Sequence, residues 1–273
     1  MTAITFIANA LTAFGPAAVL FFQFLLHRPS LGLLALAGAF VALVALLITS
    51  ALWLAIPNHD LVSTNPLSDA SRTVPPMLAT LVISVLVQEL VRAASWKLIA
   101  LSEGSIILAS GDSRSKYIRV HMSGALGYGY ALMIGLLVHI QPLISSAGAG
   151  MRLSPSCPHI PDVFLGSLTV MLSFFHHVMW TMLMYNALFL GHPVPGSTAT
   201  ASTAATGNNS AARKWGMLGY IVATHMLVSL ISVTQMPAVA YNCFIPLAIS
   251  AVVAGVSGAL VWRSVLGSIK KSE

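Results

Sequence analysis

An acidic and a basic residue stand three positions apart inside an apolar stretch of the chain. Glu89 and Arg92 follow Gln88 in the run Q-E-L-V-R. Residues three apart share one face of a helix, so these two side chains can form an ion pair. Ionisable groups within a membrane helix are costly and mark functional sites. Two interpretations stay open: a self-neutralising pair with Arg92 reaching toward the interface, or a site that binds a partner.

Two histidines lie near the midpoints of later apolar stretches. His177 is in the run F-F-H-H-V-M-W, which ends at Trp180, and His225 is in the run H-M-L-V-S, which ends at Ser229. At matching depth on adjacent helices, the two imidazoles could hydrogen-bond each other, bind a metal or receive a partner's carboxylate. His176 is about 100° around the helix from His177, so we expect it to matter less.

The carboxylates argue against a metal site and against acid catalysis. Zinc takes three or four ligands, and catalytic zinc sites often include a carboxylate. Apart from Glu89, the remaining carboxylates are predicted to lie in loops or tails: Asp60, Asp69, Glu103, Asp112, Asp162 and Glu273. An aspartyl dyad within the membrane is therefore excluded. We predict no catalytic residue, no metal and no cofactor.

Composition places these groups in a membrane. The 273 residues are 57% hydrophobic and 7% charged, and the mean hydropathy is +0.86. A soluble domain carries about 25% charged residues. The net charge of +6 does not indicate nucleic-acid binding, because the basic residues are scattered in ones and twos without a basic face.

Seven stretches are long enough to span a bilayer, which takes about 20 mostly apolar residues. The sequence thus predicts an all-α, polytopic integral membrane protein with a single seven-helix domain. The predicted spans are 4–26, 31–56, 74–101, 120–144, 164–190, 215–233 and 239–266. The segment 192–212 is rich in Ser, Thr, Ala and Gly, and it is predicted to be a flexible cytosolic loop.

The basic residues predict the orientation. With the N-terminus lumenal or extracellular and the C-terminus cytosolic, eleven of the thirteen Lys and Arg residues face the cytosol. Only Arg72 and Arg152 lie on the opposite side. The two cysteines, Cys157 and Cys243, form no C-x-x-C pair, and two unrelated thiols are the favoured interpretation. A disulfide stays open, because both are predicted near the outer face.

Small residues in two spans predict close helix packing. In the fourth span, small residues recur four apart as Ser123/Gly127 and Ala125/Gly129, which lets helix backbones approach each other. Gly124 is followed four positions later by a tyrosine. In the first span, Gly15 and Pro16 are assigned to helix packing, and the proline is expected to kink the helix. Neighbouring helices can satisfy the carbonyl that it frees.

Taken together, these motifs resemble the anterior-pharynx-defective (Aph) family, the seven-span scaffold subunit of γ-secretase. The resemblance rests on an ordered set of residues that covers all but the last span. These are the A-F-G-P-A run at 13–17, Gln88-Glu89-x-x-Arg92 with Lys97-Leu98 and Glu103-Gly104 after it, His177-x-x-Trp180, and His225-Met226-Leu227-x-Ser229. The family's glycine ladder in the fourth span is broken here at Tyr128, which leaves the packing register there open.

The resemblance implies a non-catalytic subunit that assembles with presenilin, nicastrin and a presenilin-enhancer subunit. Presenilin would supply the catalytic aspartates, and His177 and His225 would line the surface that receives its C-terminal region. The assembly contacts implied are His177, His225, Glu89, Arg92, Gln88, Trp180 and Ser229. It also implies residence among the lipids of endoplasmic reticulum, Golgi, endosomal and plasma membranes.

Two other classes of function stay open. An intramembrane hydrolase related to the CAAX-type proteases is favoured by Gln88-Glu89-x-x-Arg92 and two span histidines. In that family a Glu-Glu pair and a later Asn complete the site, and here Gln88 and Ser229 stand in those places. A small-solute transporter is favoured by the proline and glycine of the first span, which could break the helix, although the sequence shows no internal repeat.

Overall fold

The described part of the protein is a bundle of α-helices with a short β-hairpin between two of them. The computed structural model describes residues 3–55, 70–110, 118–148, 152–154, 157–189, 207–232 and 243–270. The helices are α1 (Ala3–Leu20), α2 (Pro29–Ala55), α3 (Ala70–Ala94), α4 (Trp96–Ser110), α5 (Ile118–Ser146), α6 (Asp162–Phe189), α7 (Gly207–Ser232) and α8 (Phe244–Lys270), and a π-helix (Phe21–Leu25) extends α1.

Seven helical segments are long and apolar enough to cross a membrane, which confirms the predicted fold class. They are Ala3–Leu25, Pro29–Leu54, Leu78–Ser105, Ile118–Ser146, Asp162–Phe189, Ala211–Ser232 and Phe244–Ser264. Each overlaps one predicted span, and the ends differ by at most five residues. The orientation of the two termini stays a prediction.

The third span lies four residues later in the chain than predicted and is interrupted at one residue. Helix α3 ends at Ala94, Ser95 forms a turn, and α4 begins at Trp96 and continues to Ser110. The prediction that Glu103 lies in a loop is therefore wrong. Glu103 is a buried helical residue, and its carboxylate pairs with Arg119 of α5 at 2.6 Å. Neutralisation by Arg119 is the physical reason that a carboxylate is tolerated there.

Helices α5 and α6 form the centre of the bundle, with α2 packed on the other side of α5. Two glycines make the α2–α5 contact possible. A Cβ on Gly129 would overlap the carbonyl oxygen of Ala35, and a Cβ on Gly38 would overlap that of Leu126. The two backbones touch at this crossing, so any side chain at either glycine would separate the helices.

The small residues of α5 face two different neighbours. Gly127 faces α6, because a Cβ there would lie 2.9 Å from the Thr181 Cβ. Ser123 is buried and returns its hydroxyl to the Val120 carbonyl. Ala125 is fully buried in a cluster with Leu31 and Leu34 of α2. The packing register left open by the sequence is therefore Ala125/Gly129 against α2.

Two glycines assigned to packing make no close backbone contact among the described residues, and their role in packing stays a prediction. A Cβ on Gly15 would meet nothing within 4 Å among the described residues. One on Gly124 would meet only side-chain atoms at ordinary contact distance, with the Met182 sulfur at 3.9 Å.

Pro16 does not interrupt α1, and the irregularity comes five residues later. The α-helix runs through Pro16 to Leu20 and then widens into the π-helix, where the Leu26 amide donates to the Phe21 carbonyl at 2.9 Å. A side chain of a neighbouring helix donates a hydrogen bond to a backbone carbonyl near this transition. The Tyr128 hydroxyl of α5 donates to the Ala17 carbonyl at 3.1 Å.

A β-hairpin and a disulfide close one end of the bundle. Strands β1 (Leu153–Ser154) and β2 (Cys157–Pro161) pair antiparallel between α5 and α6. Cys157 is bonded to Cys243, just before α8, with 5.9 Å between their Cα atoms. The favoured interpretation of two unrelated thiols is therefore wrong. Two spans, α6 and α7, separate these cysteines, which returns the chain to the same end.

The start of α7 corrects the predicted loop at 192–212. The helix begins at Gly207, so the last part of that segment is helical. Residues 190–206 lie outside the described part of the chain.

Candidate functional site: a buried network of four ionisable side chains

Glu89 and Arg92 form the predicted ion pair, and both are enclosed by the bundle. Arg92 Nη1 lies 2.6 Å from Glu89 Oε1, one turn apart on α3. The whole of Arg92 is buried, and Glu89 is 4% exposed. The interpretation in which Arg92 reaches toward the interface is therefore wrong. A buried guanidinium is held by several partners because its five donors must be satisfied.

The histidines of α6 and α7 complete the network. His225 Nδ1 donates to Glu89 Oε1 at 2.6 Å. Arg92 Nη2 donates to His177 Nδ1 at 2.7 Å. The four side chains therefore form a chain in the order His225, Glu89, Arg92, His177, which joins α7, α3 and α6.

Of the alternatives for the two histidines, a hydrogen bond between them is absent from the described structure, and each instead bonds a member of the ion pair. The two rings are 5.4 Å apart between centroids and nearly perpendicular. Because Arg92 is always a donor, His177 Nδ1 is an acceptor and its proton is on Nε2. The charges of Glu89 and Arg92 cancel, so neutral histidines leave the network with no net charge within the bilayer.

Aromatic rings surround the network. Trp180 stands one turn beyond His177 on α6, is 1% exposed, and lies 4.6 Å from His225 between ring centroids. Tyr130 of α5 lies under the guanidinium of Arg92, with 4.5 Å from the Arg92 Cζ to the ring centroid. A cation over an aromatic face in a water-poor interior is stabilised by about 2 kcal/mol or more.

His176 is as enclosed as His177, which the helical geometry did not predict. It is 1% exposed, stacks on Trp180 at 5.0 Å between centroids, and its Nε2 donates to the Ser250 carbonyl of α8 at 2.9 Å. Helix α8 covers that side of α6, so His176 is unsuitable as a control, and its smaller effect stays a prediction.

Two residues assigned to the site lie beside it rather than in it. Gln88 is half-buried, and its amide reaches Ser84 one turn earlier on the same helix, at 3.5 Å. Ser229 is half-buried one turn beyond His225, and its carbonyl accepts the hydroxyl of Ser232. Neither takes part in the chain of hydrogen bonds that joins the three helices.

Sequence reasoning missed two residues, Ser95 and Tyr185, that are linked by hydrogen bonds to the backbone of Arg92. Ser95 donates its hydroxyl to the Arg92 carbonyl at 2.7 Å, and the Tyr185 hydroxyl lies 2.6 Å from Ser95. One signal was present. Tyr185 comes eight residues after His177 on α6, which is about 12 Å along the helix toward the same end as Ser95.

Several buried polar atoms around the network have no hydrogen-bond partner among the described residues. They are Glu89 Oε2, Arg92 Nε, Tyr130 Oη, His176 Nδ1 and Trp180 Nε1. A polar atom buried without a partner costs about 1–3 kcal/mol. Their concentration at one place distinguishes it from an ordinary packed core. Within the described part of the chain, no group of three or more His, Cys, Asp and Glu side chains could hold a metal ion.

Comparison with known proteins decides the family. The family model described as "Aph-1 protein" matches residues 4–268. The chain belongs to the Aph-1 family. Among its relatives, the human "Gamma-secretase subunit APH-1B" is 28% identical over 238 residues, which cover 84% of this chain and 78% of that protein.

Other vertebrate members of the Aph-1 family give the same picture. The zebrafish (Danio rerio) "Gamma-secretase subunit Aph-1b" is 25% identical over 84% of this chain and 78% of its own length. The mouse (Mus musculus) "Putative gamma-secretase subunit APH-1C" is 28% identical over 68% of this chain and 70% of its own length. The family resemblance deduced from ordered motifs is thus confirmed.

Proposed function

We propose that this chain is the non-catalytic scaffold subunit of a γ-secretase complex, where it holds presenilin, nicastrin and a presenilin-enhancer subunit together. One observation carries the proposal. The four ionisable side chains of the network bond one another, and these bonds join α3, α6 and α7 inside the bundle. Membership of a family whose relatives are called γ-secretase subunits supports it.

The geometry of Glu89 favours a scaffold over a hydrolase. A general base must have a lone pair within reach of a substrate-bound water. Glu89 Oε1 accepts from both Arg92 and His225, and Oε2, which has no partner among the described residues, is buried out of reach of solvent. Gln88, which stands where the CAAX-type proteases have the first glutamate of their pair, bonds within its own helix. Neither observation favours an intramembrane hydrolase, and none favours a transporter.

The network suits an assembly platform because it fixes helix positions without chemistry. In a bilayer, helices gain little from apolar contact with one another, so polar contacts and close backbone packing set their arrangement. The chain His225–Glu89–Arg92–His177 fixes α3, α6 and α7, while Gly38 and Gly129 fix α2 against α5. The resulting rigid surface is what binds the partner subunits, in the membranes of the endoplasmic reticulum, Golgi, endosomes and cell surface.

Affinity purification in a mild detergent tests the proposal. The tagged chain, expressed in its native host, should co-purify with a presenilin, a nicastrin and a presenilin-enhancer subunit, identified by mass spectrometry. Arg92→Ala should reduce their recovery, whereas His159→Ala, an exposed change in the hairpin, should not. Proteolysis by the purified chain alone, or recovery without any of these subunits, would overturn the proposal.

A further inference from the structure

We infer that Ser95 and Tyr185 are positioning residues that set the place of Arg92 in the buried network, and through it the assembly of the complex. The inference rests on the proposed function, since it assigns two further residues to the same site. Neither residue belongs to the ordered motifs through which the family was recognised.

Ser95 acts on the backbone of Arg92. It is the single residue between α3 and α4, and its hydroxyl donates to the Arg92 carbonyl three positions earlier at 2.7 Å. A serine hydroxyl that bonds a preceding carbonyl competes with the helix ladder and bends the helix. The interruption at Ser95 falls one turn after Arg92, at the residue whose hydroxyl bonds the Arg92 carbonyl.

Tyr185 fixes the orientation of Ser95. The Ser95 hydroxyl has one proton, which it donates to the Arg92 carbonyl, so the bond of 2.6 Å to Tyr185 is donated by the tyrosine. Ser95 is 4% exposed and Tyr185 is 1% exposed. The result is a relay from the Tyr185 hydroxyl to the Ser95 hydroxyl to the Arg92 carbonyl.

Helix α6 thus holds Arg92 at two points. His177 accepts from the guanidinium, and Tyr185, two turns further along α6, holds the main chain through Ser95. A long side chain that is fixed only at its tip can still shift with its backbone. Because both the guanidinium and the backbone of Arg92 are held, the distance from Arg92 to Glu89 Oε1 is fixed. This ion pair joins the two halves of the network.

A second ion pair holds the helix that follows the turn. Glu103 of α4 accepts from Arg119 of α5 at 2.6 and 3.1 Å, and Arg119 Cζ lies 4.4 Å from the centroid of the Phe189 ring at the end of α6. Helices α5 and α6 therefore restrain α4 beyond Ser95. The turn at Ser95 is restrained on both sides. Because α4 cannot move freely, the position of Ser95 sets the position of the Arg92 backbone.

The test compares hydroxyl deletions that are matched in position. Ser95→Ala and Tyr185→Phe remove one hydroxyl each and keep the packing. The controls are Ser102→Ala, whose hydroxyl makes the same type of bond to the Ile99 carbonyl within α4, and Tyr220→Phe, whose hydroxyl bonds Ser257 between α7 and α8. Ser95→Thr keeps the hydroxyl and is the conservative rescue.

The readout is recovery of partner subunits with the tagged chain, normalised to the chain itself. One buried hydrogen bond changes an equilibrium by about five-fold, so Ser95→Ala and Tyr185→Phe should each lower recovery by about that factor. The double variant should be no worse than either one, because the relay is a single path. Ser95→Thr should restore recovery.

A merely structural role predicts a different pattern. In that case the thermal midpoint of the isolated chain in detergent would fall in proportion to recovery, and Ser95→Thr would restore both together. We expect the midpoints of Ser95→Ala and Ser102→Ala to agree. Recovery equal to that of the two controls would overturn the inference. If Arg92→Ala also assembles normally, the proposed function fails too; if only Arg92→Ala loses its partners, the relay alone is refuted.

Discussion

His225 Nδ1 lies 2.6 Å from Glu89 Oε1, so a histidine of the sixth span and a glutamate of the third share one hydrogen bond inside the bundle. The same oxygen accepts from Arg92. A single carboxylate oxygen therefore accepts from the Arg92 guanidinium and from the His225 imidazole. The negative charge of Glu89 balances the positive charge of Arg92, which makes the network neutral.

Removal of one charge of the ion pair should be worse than removal of both. Glu89→Gln leaves Arg92 buried and unpaired, and Arg92→Gln does the same to Glu89. Each should destabilise the chain by about 3–5 kcal/mol, whereas the double variant restores neutrality and should cost less. Thermal unfolding in detergent measures this. Gln88→Ala, beside the pair, is the control and should change the midpoint little.

Replacement of His177 or His225 by Ala should lower recovery of the complex. Each change deprives one member of the ion pair of a buried partner, at a cost of about 1–3 kcal/mol. The double variant should be less damaging than the sum, because both residues serve one network. His159→Ala is the suitable control, in place of the buried His176. If His225→Ala leaves assembly intact but eliminates turnover, a direct chemical role would be the better account.

Glycine substitutions should separate true helix crossings from incidental glycines. Gly129→Ala places a methyl group against the Ala35 carbonyl and Gly127→Ala places one against Thr181, so each should cost about 1–3 kcal/mol through overpacking. Gly124→Ala meets only ordinary contacts and should be tolerated. Yield and thermal midpoint of the purified chain are the measurements. Equal effects at Gly124 and Gly129 would contradict this account of the α2–α5 crossing.

The disulfide should be present in the mature protein. A thiol assay under denaturing, non-reducing conditions should find neither Cys157 nor Cys243 free. Serine at either position should destabilise the outer end by about 2–4 kcal/mol, as for other native disulfides. The double serine variant should match the single ones, since one bond is lost in each case. Two reactive thiols in the wild-type chain would refute the pairing.

The termini should lie on opposite sides of the membrane. Seven spans place them apart, and the excess of Lys and Arg on one side predicts an outer N-terminus and a cytosolic C-terminus. An N-terminal tag should be accessible to antibody on intact cells, and a C-terminal tag only after permeabilisation. Accessibility of both tags from the same side would contradict the count of spans.

Composition and hydropathy were enough to predict the membrane fold and all seven spans. A bilayer requires backbone hydrogen bonds to be satisfied within each segment, so a run of about 20 apolar residues specifies a helix without reference to its neighbours. The pairing of Glu89 with Arg92 was predicted for the same reason, because a spacing of three is fixed by the helix itself.

Contacts between helices could not be predicted from the sequence of each helix alone. That His225 bonds Glu89, that Tyr185 reaches Ser95 and that Gly38 meets Leu126 depend on which helices are neighbours and how each is rotated. Glu103 was misassigned for this reason, because its charge suggested a loop, whereas Arg119 of α5 lies opposite it inside the bundle. The small size of Gly15 likewise could not show whether another helix lies beside it, and a Cβ there would meet none of the described residues within 4 Å.

The sequence by itself thus determined what each segment is, since segment identity follows from short-range hydrogen bonding and the hydrophobic requirement of the bilayer. Apart from the Glu89–Arg92 pair within α3, tertiary structure decided which partner each polar side chain of the network has. Within a low-dielectric bundle, a charge or hydroxyl is defined by the partner within about 3 Å of it, and that partner comes from another helix many residues away.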